Sequence, residues 1–315
     1  MSQLDLLTMG RVGVDLYPQQ SGVGLEDVTS FGKFLGGSPT NVAVAAARLG
    51  HRTAVITRTG ADPFGRFIHK SLRGFGVDDR YVSSVDHLPT PVTFCEIFPP
   101  DNFPLYFYRL PKAPDQQIRA DELDFDAIRA AKVFWVTVTG LSVEPSREAT
   151  LAALEARTGH GTCILDLDYR PMFWESPESA TEQIARALPH VTVAVGNREE
   201  CEVAVGESEP AAAAKALRVA GVETAIVKQG PAGVLGVRDA EAVVVPPVPV
   251  DVVNGLGAGD AFGGSLCHGI LRDWSLTRTL SFANAAGAYV AGQLSCADAM
   301  PTASQVETMM QGVDR

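Results

Sequence analysis

Short apolar runs of four to seven residues alternate along this chain with longer stretches whose apolar positions recur every three or four residues. Residues 4–9, 53–57, 132–138, 162–167, 191–195 and 224–227 are bounded by Gly, Asn or charged residues and read as buried strands. Residues 40–49, 63–75, 145–157, 176–188 and 211–220 read as helices. Strand and helix in alternation predict βαβ units and a mostly parallel sheet with helices on both faces. Residues 234–248 predict two more strands around Asp239-Ala240-Glu241, then a Pro-rich stop and two long helices over 258–271 and 277–293.

Two segments break the alternation. Residues 12–34 are strand-like and punctuated by Gly. Residues 90–109 carry two strands, 92–98 and 105–109, around Pro99-Pro100-Asp101-Asn102. Paired, these would make a small sheet standing off the main one, either a lid over an active site or an edge hairpin without a role. Periodicity does not separate the two. There is no internal repeat.

Composition narrows the class. Of 315 residues, 46% are hydrophobic and 20% charged, which excludes general disorder. Lys and Arg number 26 against 37 Asp and Glu, a net charge of −11. That balance argues against nucleic acid or an anionic membrane as partner, since either needs a basic face. A local basic pocket for an acidic small molecule is compatible with it. The five cysteines are scattered without a CxxC pair, several in apolar runs, and read as reduced, buried thiols. The six histidines have no metal-ligand spacing. No basic n-region opens the chain and no apolar run nears the ~20 residues that span a bilayer, so the expected location is the cytoplasm.

The strongest chemical signal is Asn254-Gly255-Leu256-Gly257-Ala258-Gly259-Asp260-Ala261-Phe262-Gly263-Gly264, which opens a predicted helix. Glycines let backbone N–H groups converge, and a helix N-terminus adds positive potential; together they form an anion site. A carboxylate inside such a site fits a base that takes a hydroxyl proton while the amides stabilise a phosphoryl group in transit. Three other readings stand beside this one: a dinucleotide loop, which normally follows the first strand of a βαβ unit; a turn with Asp as N-cap; and close helix packing. There is no Walker A lysine motif, and His51-Arg52-Thr53 lacks the Asp of a protein-kinase catalytic loop. A second glycine turn, Gly36-Gly37-Ser38-Pro39-Thr40-Asn41, leads into the first helix. By itself it reads as a capped turn.

Together the two glycine segments resemble the paired signatures of the ribokinase-like sugar kinases, the phosphofructokinase-B family, over residues 4–293. Intermediate marks fall in order: Gly10 and Asp15; Asp168-Tyr169-Arg170-Pro171; Asn197 and Glu200; Lys228-Gln229-Gly230 and Gly233. The resemblance implies a three-layer α/β fold, one kinase domain over residues 1–315, with a small β-sheet lid from about residues 12–34 and 90–110. It implies ATP-dependent phosphorylation with Asp260 as base, and Gly257, Ala258 and Gly259 as anion hole. Asn197, Lys228, Gly230, Gly233 and Asn284 would line the nucleotide site. Glu200, and Asn197 through water, would serve Mg²⁺. Asp15, Gly36, Gly37 and Asn41 would bind sugar hydroxyls. A homodimer through the lid strands is implied as well. The late motif departs from the family in carrying Asn254 where a first Asp is common, which puts a monovalent cation in question.

For the acceptor, two guanidiniums point to an acid. Arg109, after the aromatic strand that includes Tyr108, is expected to reach over the sugar, and Arg170 to approach from the main sheet. Unpaired guanidiniums in a closed cleft are costly, and a carboxylate would satisfy them. The competing reading is a solvated Arg109 and an Arg170 that faces ATP phosphates. Kinases of 2-keto-3-deoxygluconate have a similar Tyr-Arg element. Residues 8–17, 35–41, 101–109 and 254–260 look closer still to family members that phosphorylate 5-dehydro-2-deoxygluconate in inositol catabolism. A neutral-sugar kinase and a non-catalytic nucleotide- or sugar-binding regulator are the alternatives. Of Asp166 and Asp168, at most one is expected to face the cleft, with Asp168 preferred.

Overall fold

A computed structural model describes residues 3–313. The chain begins β1 (Leu6–Met9), β2 (Gly13–Pro18), β3 (Phe31–Gly36), α1 (Ser38–Arg48), β4 (Thr53–Gly60), α2 (Pro63–Gly74), β5 (Val77–Asp78), β6 (Val82–Val85), β7 (Val92–Cys95) and β8 (Leu105–Tyr108). It continues α3 (Phe125–Ala130), β9 (Val133–Thr137), α4 (Ser146–Arg157), β10 (Thr162–Asp166), α5 (Pro177–Ala187), β11 (Val193–Asn197), α6 (Arg198–Val205), α7 (Pro210–Val219) and β12 (Thr224–Lys228). It ends β13 (Val234–Arg238), β14 (Glu241–Val245), α8 (Ala258–Leu271), α9 (Leu276–Ala291) and α10 (Ala303–Val313).

The main sheet has ten strands in the order β14-β13-β12-β11-β10-β9-β1-β4-β5, with β6 also paired to β4. From β12 to β4 the neighbours are parallel; β13 and β14 close one edge as an antiparallel hairpin. Both faces are covered, so the strands are apolar throughout. Leu7, Phe134 and Leu165 point to the layer of α3–α7. Leu6, Trp135 and Ile164 point to the layer that holds α1, α8 and α9. The predicted mostly parallel sheet with helices on both faces is the observed architecture.

The two irregular segments pair as expected, in a four-stranded sheet of order β3-β2-β7-β8. Its strand β7 is shorter than the predicted 92–98: it ends at Cys95, and Phe98 makes only an isolated bridge to Asn102. Helices α3, α6 and α10 and strands β5 and β6 were not predicted. They are short or polar; β6, for example, is Val-Ser-Ser-Val, with both serines exposed. Among the described residues, no helix is long and apolar enough to cross a membrane.

Candidate active site

The site lies beyond the carboxyl ends of the parallel strands, where ligands of open α/β sheets collect. Arg11 follows β1, Asp166 ends β10, Asn197 ends β11 and Lys228 ends β12. The N-termini of α1 and α8 and the inner face of the small sheet close it into a cleft of about 150 Å³. That volume is below the ~300–1,000 Å³ of pockets for drug-sized ligands.

Close packing of α1 on α8 sets the centre. At Gly263 a Cβ would stand 2.6 Å from the Trp135 ring, and at Gly264 it would overlap Ala45. Gly263 therefore lets α8 lie on the Trp135 ring of β9, and Gly264 lets it approach α1 along Val42–Ala46. Asn41 Nδ2 donates to Asp260 Oδ2 at 2.8 Å, while Asn41 Oδ1 is buried without a partner. Gly257 is the N-cap of α8 with φ 81°, a left-handed conformation. The N–H groups that follow, from Ala258, Gly259 and Asp260, lie in the first turn and lack intrahelical acceptors. Burial, reinforced by the neighbouring Asp168, raises the Asp260 pKa above the usual carboxylate range, against the bond from Asn41.

On the small-sheet side, Tyr17 Oη donates to Asp15 Oδ2 at 2.8 Å. With that proton committed, the Cys296 thiol is the donor in the 2.8 Å contact with Tyr17 Oη. Burial pushes Asp15 up to about 6. Gly36 ends β3 against the Asp15 carboxyl, and Gly37 is the N-cap of α1. Phe107 and Leu105 of β8 complete the lining.

Opposite lies a charged cluster. Asp168 Oδ1 pairs with Arg170 at 2.6 Å, and its Oδ2 lies 3.6 Å from Arg11. Against the cost of burial, these two cations hold Asp168 below its ordinary pKa. Burial pushes Asp166 in the opposite direction, with its carboxylate neighbours adding to the rise. Both Asp166 and Asp168 line the cleft, contrary to the expectation of only one. Residues two apart on an extended segment face the same way. Lys228 Nζ lies 3.9 Å from Glu200 Oε2 and near Gly259. Burial alone would lower the Lys228 pKa, but Glu200, Asp166, Asp168 and Asp260 outweigh it and keep the ammonium charged.

The remaining expected residues are less central. Asn197 caps α6 in a reciprocal pair with Glu200: Glu200 N donates to Asn197 Oδ1 at 2.8 Å, and Asn197 N to Glu200 Oε2 at 2.7 Å. Glu200 borders the cleft, whereas Asn197 lines the adjoining outer cavity. Gly230 and Gly233 flank the turn between β12 and β13. Asn284 of α9 donates to Pro246 O at 2.6 Å and does not line the cleft. Asn254, fully buried, donates to Leu294 O at 2.8 Å and accepts from Leu256 N; an aspartate there would have no such donor.

Two placements correct the sequence reading. Tyr108 is 67% exposed, because side chains alternate along β8 and Leu105 and Phe107 take the cleft side. Arg109 is buried, but it lines a larger cavity on the far side of Leu105 and Phe107, not the cleft, and pairs with Asp115 at 2.8 Å. Among the lining residues that sequence reasoning passed over, with Tyr17 and Cys296, is Arg11. Its only signal was its place directly after the first strand and Gly10.

The pfkB family carbohydrate kinase model matches residues 3–303. The chain is 31% identical over 315 residues to the 5-dehydro-2-deoxygluconokinase of Geobacillus kaustophilus (strain HTA426), covering 98% of this chain and 94% of that protein. It is 32% identical to the protein of that name from Geobacillus thermodenitrificans (strain NG80-2), at the same coverage. Among solved structures, a putative ribokinase II from E. coli in complex with ATP and Mg²⁺ superposes with a TM-score of 0.89 at 23% identity, covering 99% of this chain and 100% of that one; at that identity the match speaks for the fold. This chain belongs to the pfkB family of carbohydrate kinases, phosphotransferases whose acceptor is a sugar hydroxyl.

Proposed function

We propose that this kinase transfers the γ-phosphoryl group of ATP to the 6-hydroxyl of 5-dehydro-2-deoxy-D-gluconate. The observation that carries the reading is Asp260, held at the start of α8 by Asn41 at 2.8 Å and facing a cleft with two guanidiniums. In this reading Asp260 accepts the proton of the attacking hydroxyl, and its raised pKa makes it a better base. The first-turn amides from Gly257 onward meet the negative charge that builds on the phosphoryl oxygens. Asp15, with the backbone at Gly36 and Gly37 and the unpartnered Asn41 Oδ1, accepts and orients the sugar hydroxyls. Lys228 meets the phosphates beside Gly259, and Gly230 and Gly233 shape the nucleotide side, with Asn284 further along it.

Two carboxylates border the phosphate side, Glu200 and Asp166. This hard-oxygen set suits Mg²⁺, which takes one or two protein carboxylates and fills its shell with water and phosphate. Glu200, and Asn197 through water, would hold the ion, which would neutralise phosphate charge. Asn254 already braces its loop with its own amide, which speaks against a monovalent cation there.

Relatives named as 5-dehydro-2-deoxygluconokinases support the acceptor, as do Arg11 and Arg170 in the cleft. A neutral sugar is the second reading, favoured by the close Asp168 partner of Arg170. The small sheet serves as lid within a single kinase domain, and its exposed Tyr106 and Tyr108 suit a homodimer formed through those strands. Dependence on ATP fits the cytoplasm.

The test is ATP consumption with 5-dehydro-2-deoxygluconate. Asp260→Asn is expected to lose ~10²-fold or more in kcat while still binding ATP. Wild-type turnover in that variant would remove Asp260 as the base.

A further inference from the structure

We infer that Arg11 is the side chain that selects the acceptor by its carboxylate. The inference rests on the sugar-acid reading above and assigns its selectivity to a residue outside the expected Arg109 and Arg170 pair. Arg11 leaves the end of β1 one residue after Gly10, so its backbone is anchored in the main sheet. Its side chain is only 12% exposed and lines the cleft.

What it lacks is a close partner. The nearest carboxylate oxygen, Asp168 Oδ2, is 3.6 Å away, beyond the ~2.7–2.9 Å of a strong charge-assisted bond. Arg11 Nε is buried with no hydrogen-bond partner, and so is Asp168 Oδ2. The other oxygen of Asp168 is held by Arg170 at 2.6 Å. One carboxylate thus faces two guanidiniums and bonds closely to one. Asp15 and Asp260 feel the charge of Arg11 through space, but their recorded close bonds are to Tyr17 and Asn41. A buried guanidinium with unmet donors is unfavourable unless a ligand supplies acceptors. Its planar fork matches a carboxylate in two parallel bonds.

Position separates the two anions that could fill this gap. Lys228 stands by Gly259 at the helix start, where the phosphates are assigned. Arg11 sits against the small sheet, its guanidinium carbon 5.6 Å from the Phe107 ring centroid. An acid held there lies at the junction of the two sheets, at the sugar end of the cleft.

The test uses the whole enzyme with Arg11→Met and Arg11→Lys. Binding of 5-dehydro-2-deoxygluconate and of ATP is measured separately by calorimetry, followed by steady-state kinetics. Arg11→Met is expected to weaken binding of the acid and raise its KM by ~10²-fold, with ATP binding close to wild type. Arg11→Lys should recover part of the loss, since it keeps the charge but not the fork. Undiminished acid binding in both variants, or a loss that falls on ATP instead, overturns the assignment. If Arg11→Met fails to fold, Arg11→Lys decides by the same comparison. A wild-type enzyme that does not bind the acid at all refutes the sugar-acid reading itself, a result distinct from a variant that keeps wild-type affinity.

Discussion

Arg109 and Asp115 are both more than nine-tenths buried, meet at 2.8 Å, and have Phe173 under the guanidinium at 4.8 Å. A pair so desolvated is weak evidence of net stabilisation, but removing one partner strands the other charge. Arg109→Leu is therefore expected to lower stability by ~3–5 kcal/mol, and adding Asp115→Leu should restore most of it. Denaturant unfolding of the single and double variants checks this. A stable single variant with a raised KM for the sugar acid would instead return Arg109 to the substrate. Arg157 solves the same problem differently. It is fully buried, yet its guanidinium donates to the carbonyls of Ile128, Arg129, Lys132 and Thr162. No carboxylate takes part in those bonds, so it works as a clamp among α4, α3 and the starts of β9 and β10.

Between elements, Asp62 joins the small sheet to the main one. Its side chain caps α2 by accepting from Gly65 N at 2.7 Å, and it also accepts from Thr90 N at 2.7 Å and Thr90 Oγ1 at 2.8 Å. Thr90 lies two residues before β7, the strand that ties β8 to β2. An N-cap alone is worth ~1 kcal/mol, and the bonds to Thr90 add to it. Asp62→Ala is expected to cost ~1–2 kcal/mol and to speed hydrogen exchange of the amides in residues 92–95. Unchanged exchange there would show that β7 is held by its strand partners alone.

Across the whole molecule, pH acts through buried groups of opposite sign. His268 of α8 meets His51 at 2.8 Å between ring nitrogens, packed on Trp274 and Phe282. Burial lowers His268 to about 4 and takes His51 below its usual value as well. A histidine whose folded pKa lies below the unfolded ~6.5 stabilises fully above that pH and loses its contribution as pH falls toward 4. Asp15, raised to about 6, works the other way: its burial is best tolerated when it is protonated, and it weighs against the fold as pH rises through 6. The histidine effect is therefore read as a difference. Relative to His268→Phe, wild type should lose Tm steadily between pH 6.5 and 4. A constant gap between the two curves would mean that the pair is not neutral in the folded protein.

Periodicity alone carried the layered α/β architecture, because a strand covered on both faces and an amphipathic helix each leave a local pattern. The β12–β14 edge was legible for the same reason, and the α8 start through its Gly-Ala-Gly-Asp turn. Short elements such as α3 and β6 left too few residues for a period to register. Asp260, Asp15, Asn41, Asp168 and Arg170, which the family resemblance singled out through strings at one turn or one strand end, all line the cleft. Side-chain partnership was not legible. That Arg109 meets Asp115, that Arg11 is left with a loose ion pair, and that Asn41 reaches Asp260 across 219 positions of chain depend on which strand face turns inward and how closely two helices approach. Local sequence sets where an element begins and which face is apolar; only packing among elements distant in the chain decides which charges meet and which is left open for a ligand.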